Sequence, residues 1–497
     1  MDAAALKKAK GVIFLTVFLD LLGFGIILPQ LAVYAAQFGA TPQIAGILAS
    51  SYSAMSFLVS PMLGALSDRI GRRPVITVSI FGTALGYLLF GFANSLPLLF
   101  AARIIDGITA GNISTAQAYL SDITPPEERA KTFGMFGAVF GVGFAIGPLI
   151  GTLLSYLPGR FGGNLGLGLF AATLSFINFF LALKIMPETL SPAIRAQNNA
   201  PGAPKRPFLN LDGFGRALRQ KGLNVAIVVG FLVTAAFATL QGTYSLFILK
   251  EYARPQVQRQ IRADPPRAVN QAHKLLDKQD PNAFDAPTGF RPEGESSLDA
   301  AQEDLRKPYP KSLGGAFDLP QTPLAGLTWG EIEKILVRPQ AARMVSILFT
   351  LIGVSSLLIQ GGLMRVLPKK FGEVPLILAG TLLMSLALSL VPLPHVFWGQ
   401  MLVALLLTLG NGISTPVLTA LVSTLAPEAS RGEIIGVYQS TQSLGRVVGP
   451  ILGGFLFGTI AAGAPYIAGA IIMFAAFLLA FKLRGAVAMA PKSAAAI

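Results

Sequence analysis

The sequence predicts an all-α membrane protein: twelve transmembrane helices in two pseudo-symmetric six-helix bundles. Three observations lead there. The first is hydropathy. The chain of 497 residues is 53% hydrophobic and only 13% charged, with a mean hydropathy of +0.61, too little charge to cover a soluble protein of this length. Apolar runs of about eighteen residues or more recur, the length a helix needs to cross hydrocarbon. Lipid offers no partner to a bare amide, so each such run is expected to be helical. The second is the placement of basic residues, and the third is an internal repeat.

In order, the spans are expected near 11–36, 43–67, 74–92, 97–120, 132–157, 165–186, 223–249, 342–366, 374–392, 396–420, 433–459 and 464–484. Residues 1–186 form the first bundle, 187–222 a linker, and 223–497 the second bundle with an insertion at 250–341. Lys7, Lys8 and Lys10 precede the first run, which is too long for a signal peptide. Lysine and arginine gather at the N-terminus, the even-to-odd connections and the C-terminal tail, whereas the short connections on the other side hold one, Arg160. By the positive-inside rule both termini and the linker are cytoplasmic and the insertion lies outside a cell (inner) membrane. The net charge of +14 is thus a topology signal. Because it is scattered over loops, no nucleic-acid partner is expected.

The repeat joins TPPEERAKTFGMFGAVFGVGFAIGPLIG (124–151) to LAPEASRGEIIGVYQSTQSLGRVVGPILG (425–453). Pro125, Arg129, Gly134, Gly143, Gly147, Pro148 and Gly151 fall on Pro427, Arg431, Gly436, Gly445, Gly449, Pro450 and Gly453 at one offset. Parallel halves of this kind are a transporter architecture, with the substrate site near the midplane between them. With no cysteine and two histidines, no disulfide or metal site is expected. The sequence offers no nucleophile–base pair and no phosphate loop. Neither an enzyme nor a cofactor is expected.

Four ionisable residues fall inside spans: Asp20, Arg103, Asp106 and Arg446. Such groups are costly in lipid and mark function. At ~1.5 Å per residue, Asp20 and Asp106 lie about 14 Å deep and Arg103 roughly 9 Å, close to one level. Arg103 and Asp106, three residues apart, share a helix face. Two carboxylates and one guanidinium cannot all stay charged cheaply away from water, so one acid is expected to hold a proton. Asp20 is preferred, because Asp106 has an arginine one turn away. The alternative is a static pair that only orients spans one and four. Arg446 either binds an anionic substrate group or ties its span to neighbours.

GALSDRIGRR (64–73) lies between spans two and three. Through Gly64, Asp68, Arg69, Gly71, Arg72 and Arg73 it resembles the loop signature of the major facilitator superfamily, in particular its drug/proton antiporter branch. FLDLLGFGIILPQL (18–31) and ARIIDGITAGN (102–112) resemble its span-one and span-four signatures. GAVFGVGFAIGPLIG (137–151), with Gly143, Gly147, Pro148 and Gly151, resembles the fifth-span motif of antiporters. The resemblance covers both halves but not 250–341, and is nearest to tetracycline and multidrug exporters. Where tetracycline exporters carry an acid in span three, this chain has Gly86. The resemblance implies the major facilitator fold and export of an organic small molecule in exchange for protons, by a protein working as a monomer among membrane lipids. It also implies a gate at 64–73, with Asp68 set against the start of span eleven near Gly432 and Glu433, Arg72 paired with Asp122, and these contacts joining the halves. Spans one, four, seven and ten would line the cavity, with Gln30, Asn112, Gln117, Gln241, Tyr244, Asn411 and Ser414 as candidates. The rival readings are a proton symporter importing a nutrient and a membrane receptor or anchor.

Overall fold

The computed structural model describes residues 3–110, 112–125, 163–192, 211–220, 222–263, 329–426 and 431–484, scattered positions between 132 and 157, and a few at 195–196, 200, 267–268 and 271–272. Among them the chain is helical, with no strand. The helices are α1 (Ala3–Gln37), α2 (Pro42–Ile70), α3 (Arg72–Gly91), α4 (Leu96–Thr109), α5 (Asn112–Asp122), α6 (Asn164–Ile185), α7 (Leu211–Arg219), α8 (Leu223–Ile248), α9 (Arg254–Ala263), α10 (Trp329–Gly361), α11 (Glu373–Leu390), α12 (Phe397–Leu425), α13 (Arg431–Thr459) and α14 (Ala464–Ala480).

Eight of the described helices are long and apolar enough to cross a membrane. The others expected depart for visible reasons. Helix α14 is apolar but has 17 residues. The 29 residues of α13 include Glu433, Gln439, Gln442 and Arg446, which lower its hydropathy. The fifth span falls largely outside the described residues. The fourth, expected as one run, is two helices, α4 and α5. At the end of α4, Thr109 Oγ1 donates to the carbonyls of Ile105 (3.0 Å) and Asp106 (3.2 Å), a back-bond that helices elsewhere in the chain carry without a break.

The repeat has a structural counterpart. Gly143, Gly147 and Gly151 lie against α1 between Phe18 and Ile26. Gly445, Gly449 and Gly453 lie against α8 between Phe231 and Thr243. In both halves the missing side chains let two backbones meet, the usual way membrane helices associate.

The halves touch along α2 and α13. A Cβ on Gly46 would stand 2.3 Å from the Pro450 carbonyl oxygen, and one on Gly454 2.4 Å from that of Pro42. Nearby, Ser50 Oγ donates to Val447 O (2.7 Å), Ser245 Oγ to Pro29 O (2.7 Å) and Gln30 Nε2 to Ser346 Oγ (3.0 Å). All of these lie toward the end where α1 hands over to α2. Gly64 and Gly436 sit eighteen residues from Gly46 and Gly454, which is about five helical turns and therefore the same faces. There an added Cβ would meet nothing within 4 Å. The two faces are pressed together at one end, and among the described residues open space adjoins both glycines at the other.

The 250–341 segment, expected as an insertion, begins and ends as extensions of its flanking spans. Helix α8 runs through a π turn (Leu249–Ala253) into α9, and α10 begins at Trp329. Pro255 lacks the N–H that the Glu251 carbonyl would accept, and the wider turn just before it absorbs that break. Ala253, Val257 and Ile261, at helical spacing, pack with Leu336, Val337 and Ala341 as a separate small core. Residues 273–328 lie outside the described residues.

Candidate functional site

The charged site is built on α4. Leu99 and Ala102 fill the apolar core, and the same face carries Arg103 and Asp106 inward. Arg103 Nη1 donates to Asp106 Oδ2 at 2.8 Å, with side chains 3% and 5% exposed. The guanidinium lies 4.6 Å from the ring centroid of Tyr52 and 5.7 Å from that of Phe24, which are 5.3 Å apart. A cation over aromatic faces is stabilised most where water is excluded. Among the described residues Arg103 Nε makes no hydrogen bond.

Close helix approach brings these groups together. Gly107 lets α4 reach α2, since a Cβ there would be 2.6 Å from Tyr52 O. Gly23 accepts the Tyr87 ring, whose hydroxyl donates to Asp20 O at 3.2 Å. Gly86 packs directly on Asp106, with room for a Cβ only 3.0 Å from that residue's own. Asp20 lies one turn before Phe24 and is half-buried. Asp20 and Asp106 both reach Tyr52 and Tyr87 electrostatically, and Arg103 and Arg446 both reach Tyr52. Tyr52 therefore stands among all four intramembrane charges. Sequence reasoning missed it, because one tyrosine in a span carries no charge signal.

The described contacts of the loop at 64–73 begin with its own half. Arg72 contacts Asp68 through Nη1 and Asp122 Oδ2 through Nε (3.2 Å), and Nη1 also donates to Ser67 Oγ at 2.7 Å. The pair with Asp122 joins α3 to α5 and does not tie the halves, a correction to the expected role. The side chains of Gly432 and Glu433 lie outside the described residues. Exposed Arg69 offers its carbonyl to Arg195 Nε (3.1 Å), and Arg73 Nη2 donates to Leu183 O (2.6 Å).

A second missed residue is Glu188. Its carboxylate accepts the backbone N–H of Arg72 (2.9 Å) and of Arg73 (3.1 Å), and those of Thr189 and Leu190. A carboxylate at the first turn of α3 satisfies donors that have no partner inside the helix. The one available hint was an acid just after a span in a mostly basic connection. Gly71 makes room for it: φ is +114°, and a Cβ would stand 2.2 Å from Glu188 Oε2. Alanine at 71 is expected to lower stability by about 1–3 kcal/mol from backbone strain alone, with a further loss from the displaced cap. Melting of the detergent-solubilised variant beside Glu188→Gln checks this. An unchanged melting temperature would remove the loop's dependence on that contact.

Three cavity candidates are sealed instead. Tyr244, fully buried, donates to Gln400 Oε1 at 2.9 Å. Gln400 Nε2 in turn donates to Tyr252 Oη and Val391 O. Ser414 bonds to its own helix at Gly410 O and packs on Gly380. Gln30 lies in the contact between halves with Ser346. Tyr244 and Gln30 are satisfied from other helices and Ser414 from its own, and all three are buried. Asn411, half-buried, accepts from Thr415 Oγ1 at 3.0 Å. Gln117 and Gln241 are half-buried, and the Asn112 side chain lies outside the described residues. Arg446 is exposed and donates to Ser443 Oγ at 2.9 Å.

Two mirrored helix bundles, closed at one end around buried charge, define a membrane protein of the transporter type. The sequence model of the Major Facilitator Superfamily matches residues 13–255 and 325–496, and the chain belongs to that family. It is similar to tetracycline resistance protein class E of Escherichia coli, 35% identical over 179 residues, 35% of this chain and 42% of the relative. Class C of Escherichia coli is 41% identical over 135 residues, 27% of this chain and 34% of the relative. The quinolone resistance protein NorA of Staphylococcus aureus (strain Mu50 / ATCC 700699) is 28% identical over 135 residues, 27% of this chain and 35% of the relative. These matches span well under two thirds of the relatives' own lengths. Among solved structures, the human organic anion transporter MFSD10 (TETRAN) superposes with a TM-score of 0.60 at 20% identity, covering 97% of this chain and 100% of that one. A bacterial homologue of the human lysosomal transporter Spinster, inward-facing and occupied, gives 0.64 at 13% identity, with 98% of each chain covered. At such identities the likeness is one of fold.

Proposed function

We propose that this protein exports an organic small molecule in exchange for protons by alternating access, as a monomer in a cell (inner) membrane with both termini cytoplasmic. The observation that carries the reading is the arrangement of Asp20 beside a closed Arg103–Asp106 pair. Asp106 has its counter-charge at 2.8 Å and is sealed from water. Asp20 is half-buried, on the same tyrosines, and is the more exposed of the two acids. It therefore carries the proton, and the pair holds the field in which it titrates. The resistance proteins among the relatives support export.

With the basic connections in the cytoplasm, the closed end is the outer one and the chain faces inward. The domains are 1–186 and 223–497, joined by 187–222, and twelve spans cross the bilayer. When the outer end opens, Gly64 and Gly436 come together and Asp68 turns to the positive start of α13. Gly86, where tetracycline exporters have an acid, leaves that position to Asp106 and argues for a substrate other than tetracycline.

The test uses inside-out vesicles loaded by an imposed pH gradient, with a panel of dyes and drugs as substrates. Accumulation should follow the gradient and vanish with a protonophore. Transport that persists without any proton gradient, or that runs along the proton flow, removes the exchange reading.

A further inference from the structure

Arg446 is sixteenth of the 29 residues of α13, so it sits at mid-helix. At about 100° per residue its direction is fixed by its neighbours. Gly445 and Gly449 face α8, whereas Val447 and Gly454 face α2. Leu444, Val448, Ile451 and Phe455 form the exposed apolar side turned to lipid. Arg446 points opposite to that side, into the interior where the halves meet. It is nonetheless exposed, as is Gln439 two turns earlier on the same line. The exposure is therefore to an opening between the halves.

Its only described hydrogen bond is to Ser443, and among the described residues it has no carboxylate partner. This differs from Arg103, which Asp106 neutralises. A guanidinium held within the membrane without a counter-charge is costly. A planar fork of donors suits a carboxylate or similar oxyanion. Tyr52, on the α2 helix that packs on α13, lies within electrostatic reach of Arg446 and is tilted against Phe24 with ring centroids 5.3 Å apart, an aromatic wall.

We infer that Arg446 and Ser443 bind the anionic group of the transported compound, with its apolar or aromatic body against Tyr52 and Phe24. The substrate class is thus an amphipathic organic anion. The inference rests on the export reading only in calling the ligand a substrate.

The test is equilibrium binding to the purified full chain in detergent, read as a shift in melting temperature. The probes are salicylate, 2-naphthoate and carboxyfluorescein, each beside its carboxamide. Carboxylates should bind better than their amides by about tenfold or more, as one lost charge-assisted bond implies. Arg446→Gln should erase that preference and Arg446→Lys should keep part of it. Equal binding of acids and amides, a preference that survives Arg446→Gln, or no binding of any carboxylate overturns the inference. No gradient is involved, so carboxylate binding without proton-driven flux would sink the export reading alone.

Discussion

Asparagine in place of Asp20 should abolish uphill export while leaving the protein folded and able to exchange substrate downhill. The amide has the shape of the protonated acid but carries no exchangeable proton. A gradient of one pH unit supplies about 1.4 kcal/mol per proton, or about a tenfold concentration ratio. A carrier that moves no proton gains none of this, so the accumulation ratio should fall to one at every pH. Substrate exchange across vesicles at equal pH should continue, because the Arg103–Asp106 pair and its aromatic stack are untouched. Measuring both fluxes in the same vesicles separates the outcomes. Gradient-driven accumulation at the normal level in Asp20→Asn would take that residue out of the mechanism. Loss of both fluxes with normal folding would make it a binding residue instead.

Leucine in place of Gly46 should hold the closed end open. A Cβ at this position meets backbone, 2.3 Å from Pro450 O and 3.3 Å from Gly454 Cα, and backbone in two packed helices cannot move aside as a side-chain tip would. Each half keeps its own core, so the variant should insert and express. What it loses is the seal between halves, and with it the transport cycle, by about a hundredfold or more if closure becomes unfavourable by about 3 kcal/mol. The chain has no cysteine, so introduced pairs report cleanly. Gln43→Cys with Gly458→Cys, which touch at this end, should cross-link readily in the parent and poorly beside Gly46→Leu. The pair Gly64→Cys and Gly436→Cys should do the reverse. Parental transport by Gly46→Leu would show that this contact does not close in the cycle.

Much of this was legible in the sequence because lipid imposes simple rules. A run of apolar residues has to be a helix, a repeat at fixed offset has to be a second copy of the same unit, and an ionisable group at mid-span stands out against its surroundings. The glycines of 137–151 and 425–453 were visible as small residues, and they proved to be where α1 and α8 are approached. Gly71 was visible as part of the loop signature. Less legible were features that depend on partners far along the chain. Span four is two helices, α4 and α5, a division that hydropathy does not mark. Glu188 reaches the loop across more than a hundred residues. Tyr244, Gln30 and Ser414 are polar residues on helices expected to line the cavity, and only their partners show that they are sealed.

The amino-acid sequence by itself determined the fold class, the pairing of halves and the presence of four charges within the membrane, since each follows from composition or spacing along one dimension. Tertiary structure decided which of those charges are neutralised. Arg103 and Asp106 close on each other, Asp20 stays half-buried beside them, and Arg446 is exposed at mid-helix. The reason is that electrostatic energy in a low-dielectric interior depends on distances of a few ångströms between helices, and such distances are set by where glycines let backbones meet.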